Sequence, residues 1–302
     1  KIRGYKLPGD SMKIDVWSFG LRNLFLPAFW FIGTLKVRLQ AFNFIPDIIV
    51  SDFEPIGVSL ARVLGKKCIV VFGFDPALYK EYAKTHAVNY KMRVEATYFE
   101  HMYSQADLVL IPSFRKYHER HLLYSYIDPV VRQKPEELPS EQVLMKQLHL
   151  SKKPFLVMLG GSNFGMKLAL HVNKLAHLFP EKDFLIFGGD LGDISFAKNV
   201  RYIAFTPDFL RYLKVCQGVI TLAGQKTLSE ALVYKKPILC FPIQDHIEQV
   251  LNAYALEHSI LVSHDSSLKG VERYLREFFH DLSLYQKRVE RLGFRADGAE
   301  EF

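Results

Sequence analysis

The sequence predicts an α/β protein of two Rossmann-like domains facing a cleft, and three observations lead there. Short, near-continuous apolar runs of strand length alternate with helix-length segments from residue 46 to residue 241. That rhythm belongs to parallel sheets covered on both faces. The 302 residues suit two such domains of roughly 150 residues each. A charged stretch at 128–153 carries Pro129, Pro135 and Pro139 and shows little periodicity before Gln142, so it reads as the linker.

The chain opens on Lys1-Ile2-Arg3-Gly4-Tyr5-Lys6-Leu7-Pro8-Gly9, which resembles the end of a strand and a loop. A first βα unit is therefore expected ahead of Lys1. Residues 16–39 concentrate large apolar groups, among them Trp17, Phe25, Phe29, Trp30 and Phe31, broken by Arg22, Asn23 and Pro27 and closed by Lys36 and Arg38. A bilayer-spanning helix needs about 20 uninterrupted apolar residues, so this is not one. Two readings stay open: a helix pair buried beneath the first sheet, or an interfacial segment at 16–38 resting its tryptophans and cations on a membrane. Ile48–Val50 is then a short strand, 51–55 a loop, 56–64 a helix ended near Gly65, and Cys68–Phe72 the next strand. Residues 78–104 read as one helix and 107–112 as another buried strand. The first domain is drawn as 1–140 and the second as 141–270.

The second domain starts on the clean strand Phe155–Leu159, and strands follow at 184–187, 200–203, 217–221 and 237–241 with helices between them. Residues 271–302 are set apart as a charged amphipathic helix (271–293) and a frayed tail from Ala296.

Composition narrows the class. Hydrophobic residues make up 49% and charged residues 24% of the chain, enough apolar mass for two cores. The net charge of +7 suits an anionic membrane or an anionic small substrate; its scatter along the chain argues against nucleic acid. Cys68, Cys216 and Cys240 stand far apart without a CxxC pair, which predicts buried free thiols in a reducing cytoplasm and no zinc site.

Three strand-to-helix turns of the second domain carry chemistry. Gly160-Gly161-Ser162-Asn163-Phe164-Gly165 lets the backbone approach a ligand and offers a helix N-terminus to a phosphate; it lacks the Lys-Ser/Thr ending of a P-loop. In Ala223-Gly224-Gln225-Lys226-Thr227-Leu228-Ser229-Glu230, amides from Gly224 to Thr227 are placed for a second oxygen of a diphosphate. Glu230, three residues beyond Thr227, can accept both hydroxyls of a ribose, and it can also complete a capping box with Thr227. The third turn enters a helix at His246-Ile247-Glu248-Gln249, where a carboxylate and an amide offer the donors and acceptors that sugar hydroxyls need. All three lie at C-terminal strand ends, the ligand edge of open α/β sheets.

The segment 205–253, read with Gly160-Gly161-Ser162, resembles the C-terminal donor domain of family 28 and family 1 glycosyltransferases. The likeness is to the N-acetylglucosaminyltransferase that makes lipid II and to its archaeal and bacterial relatives. It rests on Ala223-Gly224-x-x-Thr227-x-x-Glu230-Ala231, then Lys236-Pro237, Pro242, and Glu248-Gln249-x-x-Asn252-Ala253. A looser likeness links Pro46–Glu54 to the acceptor domain, so that residues 40–260 are covered.

The resemblance implies the two-domain GT-B fold and an inverting, metal-independent hexosyltransferase that uses a nucleotide sugar, UDP-linked, as substrate and needs no cofactor. It implies that Glu230 binds the ribose, that Gly224, Gln225, Lys226 and Thr227 face the diphosphate with Gly161 and Ser162, and that backbone at Thr206 beside Phe205 reads the uracil edge. Glu248 and Gln249 contact the donor sugar. Amides at helix ends stabilise the leaving UDP in place of a metal. Family members often have an apolar or small residue at the position of Lys226. They also carry a Gly-rich turn followed by His in a first βα unit, which would precede Lys1 and hold the general base. Within the chain, Asp52 and then His246 are the candidate bases. The acceptor is expected to be lipid-linked and met at the inner face of the membrane. The alternatives are a sugar-nucleotide 2-epimerase and a non-catalytic nucleotide-sugar-binding subunit of a membrane glycosyltransferase.

Overall fold

A computed structural model of the chain describes residues 9–10, 13–14, 16–41, 44, 46–52, 54–115, 122–159, 165–188, 191–192 and 194–300. The chain divides into two compact units, chiefly Ile14–Ile127 and Asp128–Glu301.

β1 (Gly9–Asp10) and β2 (Lys13–Ile14) pair as a two-stranded ladder. The first unit then runs α1 (Val16–Asn23), α2 (Leu26–Ala41), β3 (Ile48–Asp52), α3 (Pro55–Leu64), β4 (Lys67–Val71), α4 (Pro76–Thr85), α5 (Tyr90–Tyr103), β5 (Leu108–Pro112) and β6 (Tyr124–Ile127). Its sheet has the order β3-β4-β5-β6 and is parallel throughout. Val70, Val109 and Ile111 are fully buried in the middle strands, as a two-sided parallel sheet requires. Tyr103 closes the core from α5, its hydroxyl donating to the carbonyls of Phe72 and Phe74 at 3.2 and 2.9 Å.

Two expectations are corrected in this unit, and one strand is added. The helix expected over 78–104 is two, because each half has its own cap. Asp75 Oδ1 accepts from Ala77 N and Leu78 N, and Asn89 Oδ1 accepts from Met92 N at 2.9 Å; a side-chain acceptor there starts a new helix rather than continuing an old one. β6 was not foreseen, since Tyr124-Ser125-Tyr126-Ile127 is too short and polar to stand out. The buried-helix-pair reading of 16–39 fails: Trp17 is 86% exposed and Phe31 67%, and Leu21, Leu24, Phe25 and Leu39 are also exposed. Trp30 is partly buried and stacks on Tyr98 with ring centres 6.4 Å apart. Among the described residues no helix is long and apolar enough to cross a membrane.

The second unit contains α6 (Glu141–Gln147), β7 (Phe155–Met158), α7 (Met166–Leu175), β8 (Phe184–Phe187), β9 (Val200–Ile203), α8 (Phe209–Val215), β10 (Gly218–Thr221), α9 (Gln225–Val233), β11 (Ile238–Cys240), α10 (Ile247–Leu256), β12 (Leu261–Val262), α11 (Leu268–His280) and α12 (Leu282–Leu292). Its parallel sheet has the order β12-β11-β10-β7-β8-β9. From β7 the chain builds outward through β8 and β9, then returns to lay β10 on the other side of β7 and builds outward again. The switch point of the sheet therefore lies between β7 and β10, where ligands of open α/β folds bind.

The helix expected over 271–293 breaks at Asp281 into α11 and α12. α11 belongs to the core: Phe279 packs on Phe155, Phe179 and Phe184 at 4.7, 5.0 and 6.0 Å between ring centres. The tail after α12 is not frayed over its described part. Lys134 pairs with Asp297 at 3.3 Å and also with Glu300, and a Cβ on Gly298 would lie 1.9 Å from the Asp128 carbonyl oxygen. Cys68, Cys216 and Cys240 are free and buried, as expected; desolvation raises the Cys216 thiol to about 11.

Candidate functional site

In the second sheet, register fixes where the three turns begin. Met158 pairs with Thr221 on one side and Phe187 on the other, Thr221 pairs with Cys240, and Phe187 pairs with Ile203. The C-terminal ends of β9, β8, β7, β10 and β11 therefore form one row, at about 4.8 Å per strand. Every turn assigned a donor-binding role leaves this row.

The turn after β7 holds Gly161 and Ser162, which lie outside the described residues. Its far end is described. A Cβ on Gly165 would fall 2.3 Å from the Leu159 carbonyl oxygen, so only glycine lets α7 begin this close to its strand.

The turn after β10 enters α9 at Gln225. Gly224 is the N-cap residue with extended backbone and no side-chain cap, and a Cβ there would meet nothing within 4 Å. This is open space in front of a helix start whose first-turn N–H groups have no intrahelical acceptor. Thr227 lies inside the helix, so the capping box of Thr227 with Glu230 does not form. Lys226 is exposed and Gln225 and Thr227 are partly buried.

The turn after β11 is stitched to its neighbour. Gln249 Oε1 accepts from Ala223 N at 3.3 Å and Ile243 N at 3.0 Å, and Asn252 Nδ2 donates to the Ala223 carbonyl at 3.0 Å. One amide side chain thus holds two loops at a fixed spacing, and its oxygen is already committed. Toward a sugar, Gln249 has donors to offer rather than the mixed pattern expected of it. Glu248 Oε1 accepts from Gln225 N at 3.3 Å, so a carboxylate sits on an amide assigned to the diphosphate. Burial raises the Glu248 carboxyl, and the Gln225 N–H offsets only part of that rise.

Between β9 and α8, Phe205 is 87% exposed, and Thr206 Oγ1 accepts from Asp208 N at 3.1 Å, tightening the turn. His246 is the N-cap residue of α10 and partly buried. In the first unit, Asp52 is exposed at the C-terminal end of β3. The capping role at this loop belongs to Glu54, whose side chain accepts from Ile56 N.

Glu230 lies within α9, buried, and is held by a residue that the sequence reading missed. Arg132 Nε donates to Oε1 at 2.7 Å and Nη2 to Oε2 at 3.2 Å. Among the described residues no group of three or more His, Cys, Asp or Glu side chains is placed to hold a metal ion.

Comparison with known proteins decides the family. The family model described as glycosyl transferase family 1 matches residues 2–279. The chain belongs to that family. This glycosyltransferase is 26% identical over 307 residues to an uncharacterized glycosyltransferase of Methanosarcina acetivorans, covering 95% of this chain and 78% of the relative. A weaker likeness, 28% over 169 residues and 50% of this chain against 46% of the other, links it to the lipid II N-acetylglucosaminyltransferase of Caldicellulosiruptor saccharolyticus. Among solved structures it is similar to Os79 from O. sativa in complex with UDP, with a TM-score of 0.67 at 17% identity, covering 92% of this chain and 83% of that one. The glycosyltransferase therefore has the GT-B fold of two Rossmann-like domains expected from its sequence.

Proposed function

We propose that this glycosyltransferase moves a hexosyl group from a UDP-sugar to an acceptor hydroxyl with inversion and without a metal ion. The observation that carries this reading is the α9 start at the switch point, where an open glycine, first-turn amides without intrahelical acceptors and the buried carboxylate of Glu230 follow one another along one helix. The amides at Gly224–Thr227, with the turn holding Gly161 and Ser162, would receive the diphosphate. Glu230 would take the two ribose hydroxyls, exposed Phe205 offers a surface for the base beside Thr206, and Glu248 with the Gln249 amide would face the sugar. A neighbour of the same fold holds UDP, which favours a uridine nucleotide here.

In the reaction, the acceptor oxygen forms a bond to the anomeric carbon while the bond from that carbon to the diphosphate oxygen breaks. The acceptor proton passes to a general base, and UDP leaves with its new charge facing the α9 amides. Asp52 and His246 are the candidate bases on this reading.

The acceptor is lipid-linked on this reading. Its support is the exposed apolar surface of α1 and α2, with Arg22, Lys36 and Arg38 exposed beside it, on a chain of net charge +7; exposed apolar side chains with neighbouring cations suit a membrane interface. Three free thiols suit the reducing, cytoplasmic face.

The test is to incubate the protein with UDP-sugars and polyprenyl-phosphate-linked acceptors in chelator, following UDP release and product anomer by NMR. Release of UDP with a product of opposite anomeric configuration is expected. Retained configuration, loss of turnover in chelator, or exchange at C2 in deuterated water would each overturn part of the proposal.

A further inference from the structure

The pairing of Arg132 with Glu230 is lopsided. The Glu230 side chain is 3% exposed and fixed on α9, whereas that of Arg132 is 44% exposed. Arg132 stands on the strap that leads into the second unit, and the strap is tied down beside it. The Tyr234 hydroxyl donates to the Gln133 carbonyl at 3.0 Å, and Lys134 pairs with Asp297. The guanidinium also lies 5.8 Å from the centre of the Phe209 ring. Strap backbone and carboxylate are thus both held, and the arginine side chain is the partner able to swing into water. While it stays, its two-pronged contact occupies both oxygens of Glu230 and shields them from solvent.

A vicinal diol presents two O–H donors on neighbouring carbons, and a carboxylate can take both at once, as it takes the arginine fork. We propose that Arg132 gates the pentose site: guanidinium and ribose diol are alternative partners for the same two oxygens, so a nucleotide binds by displacing the arginine. This rests on the donor-site reading above. A site of this kind discriminates against nucleosides that lack the diol, because they offer Glu230 nothing in exchange for the arginine and bind with the ion pair left closed.

The gate makes a prediction opposite to that of a scaffold. If Arg132 merely held Glu230 in place, removing it would weaken binding. As a competitor, its removal leaves Glu230 without its empty-state partner and should strengthen binding. The probes are uridine and 2′,3′-dideoxyuridine, because without phosphate they keep cation–phosphate attraction out of the readout.

Affinities would be measured by ligand-observed NMR on the full chain, the Arg132→Met variant and the Arg132→Lys variant. Uridine should bind the Met variant about tenfold more tightly than the parent, a change equivalent to 1.4 kcal/mol. The Lys variant, with its single-point contact, should fall between them. Dideoxyuridine should bind all three alike. Unchanged or weakened uridine binding in both variants would overturn the gate while leaving the donor site standing. Failure of uridine and UDP to bind the parent or either variant would overturn the donor site and the gate together. If Arg132→Met does not fold, the Lys variant against the parent still decides the sign.

Discussion

Gln249 shows how much of this site depends on single polar atoms. Its side-chain oxygen satisfies two backbone amides, Ala223 N and Ile243 N, and an unsatisfied buried donor costs about 1–3 kcal/mol. Gln249→Ala should therefore cost at least about 2 kcal/mol, lowering the thermal midpoint by roughly 4–8 °C at the usual scaling for domains of this size; an unchanged midpoint would mean those amides have other partners. Glu248 bears on pH. Because burial raises its carboxyl, the folded chain binds a proton more tightly there than the unfolded chain does. The stability this gives is full at acid pH and is lost as pH rises through the raised value. Glu248→Gln keeps an acceptor for Gln225 N and removes the titration. Its denaturant-unfolding stability should thus fall less than the parent's from mildly acid to neutral pH, and parallel profiles would contradict the assignment.

The sequence showed Glu230, Glu248 and Gln249 as polar groups at strand-end turns because spacing along a helix is local information. Arg132 stayed hidden because it lies 98 residues from Glu230 in a stretch that reads as linker. Nothing local marks a charge whose partner is supplied by tertiary structure.

At the level of elements, two glycines at neighbouring turns separate folding from binding. A methyl on Gly165 would overlap the Leu159 backbone, so Gly165→Ala must push α7 off its strand, at a cost of about 1–3 kcal/mol or more. Gly224 has ordinary negative φ and open space where its methyl would go. Gly224→Ala should melt within about 1 °C of the parent, since a surface change away from strain costs little. It should nevertheless bind UDP about tenfold more weakly, because the methyl would stand where a phosphate approaches the backbone; undiminished UDP affinity by calorimetry would place the phosphate elsewhere. Strand 184–187 was readable to the residue, since a strand buried on both faces is almost wholly apolar. Breaks inside long helical patterns were not, because Asn89 and Asp281 look like ordinary exposed polar residues until their backbone is seen.

Across the whole molecule, the unusual feature is apolar surface in the first unit, where Trp17, Leu21, Leu24 and Phe25 are exposed together on α1 and its turn into α2. Soluble surfaces rarely leave such a patch without a use. Vesicles containing anionic lipid should bind the protein, with binding weakened by salt and by Leu21→Ser/Phe25→Ser; equal recovery with neutral and anionic vesicles would contradict a basic, interfacial face. The central claim, however, concerns the second unit and its α9 helix. The most direct measurement is the thermal shift given by UDP to the parent and to Glu230→Ala. At 100 times its dissociation constant a ligand adds about 2.7 kcal/mol, or roughly 5–10 °C for a domain of this size. The parent should show that shift and the variant should lose most of it; a variant stabilised by UDP as strongly as the parent would mean that Glu230 does not hold the ribose.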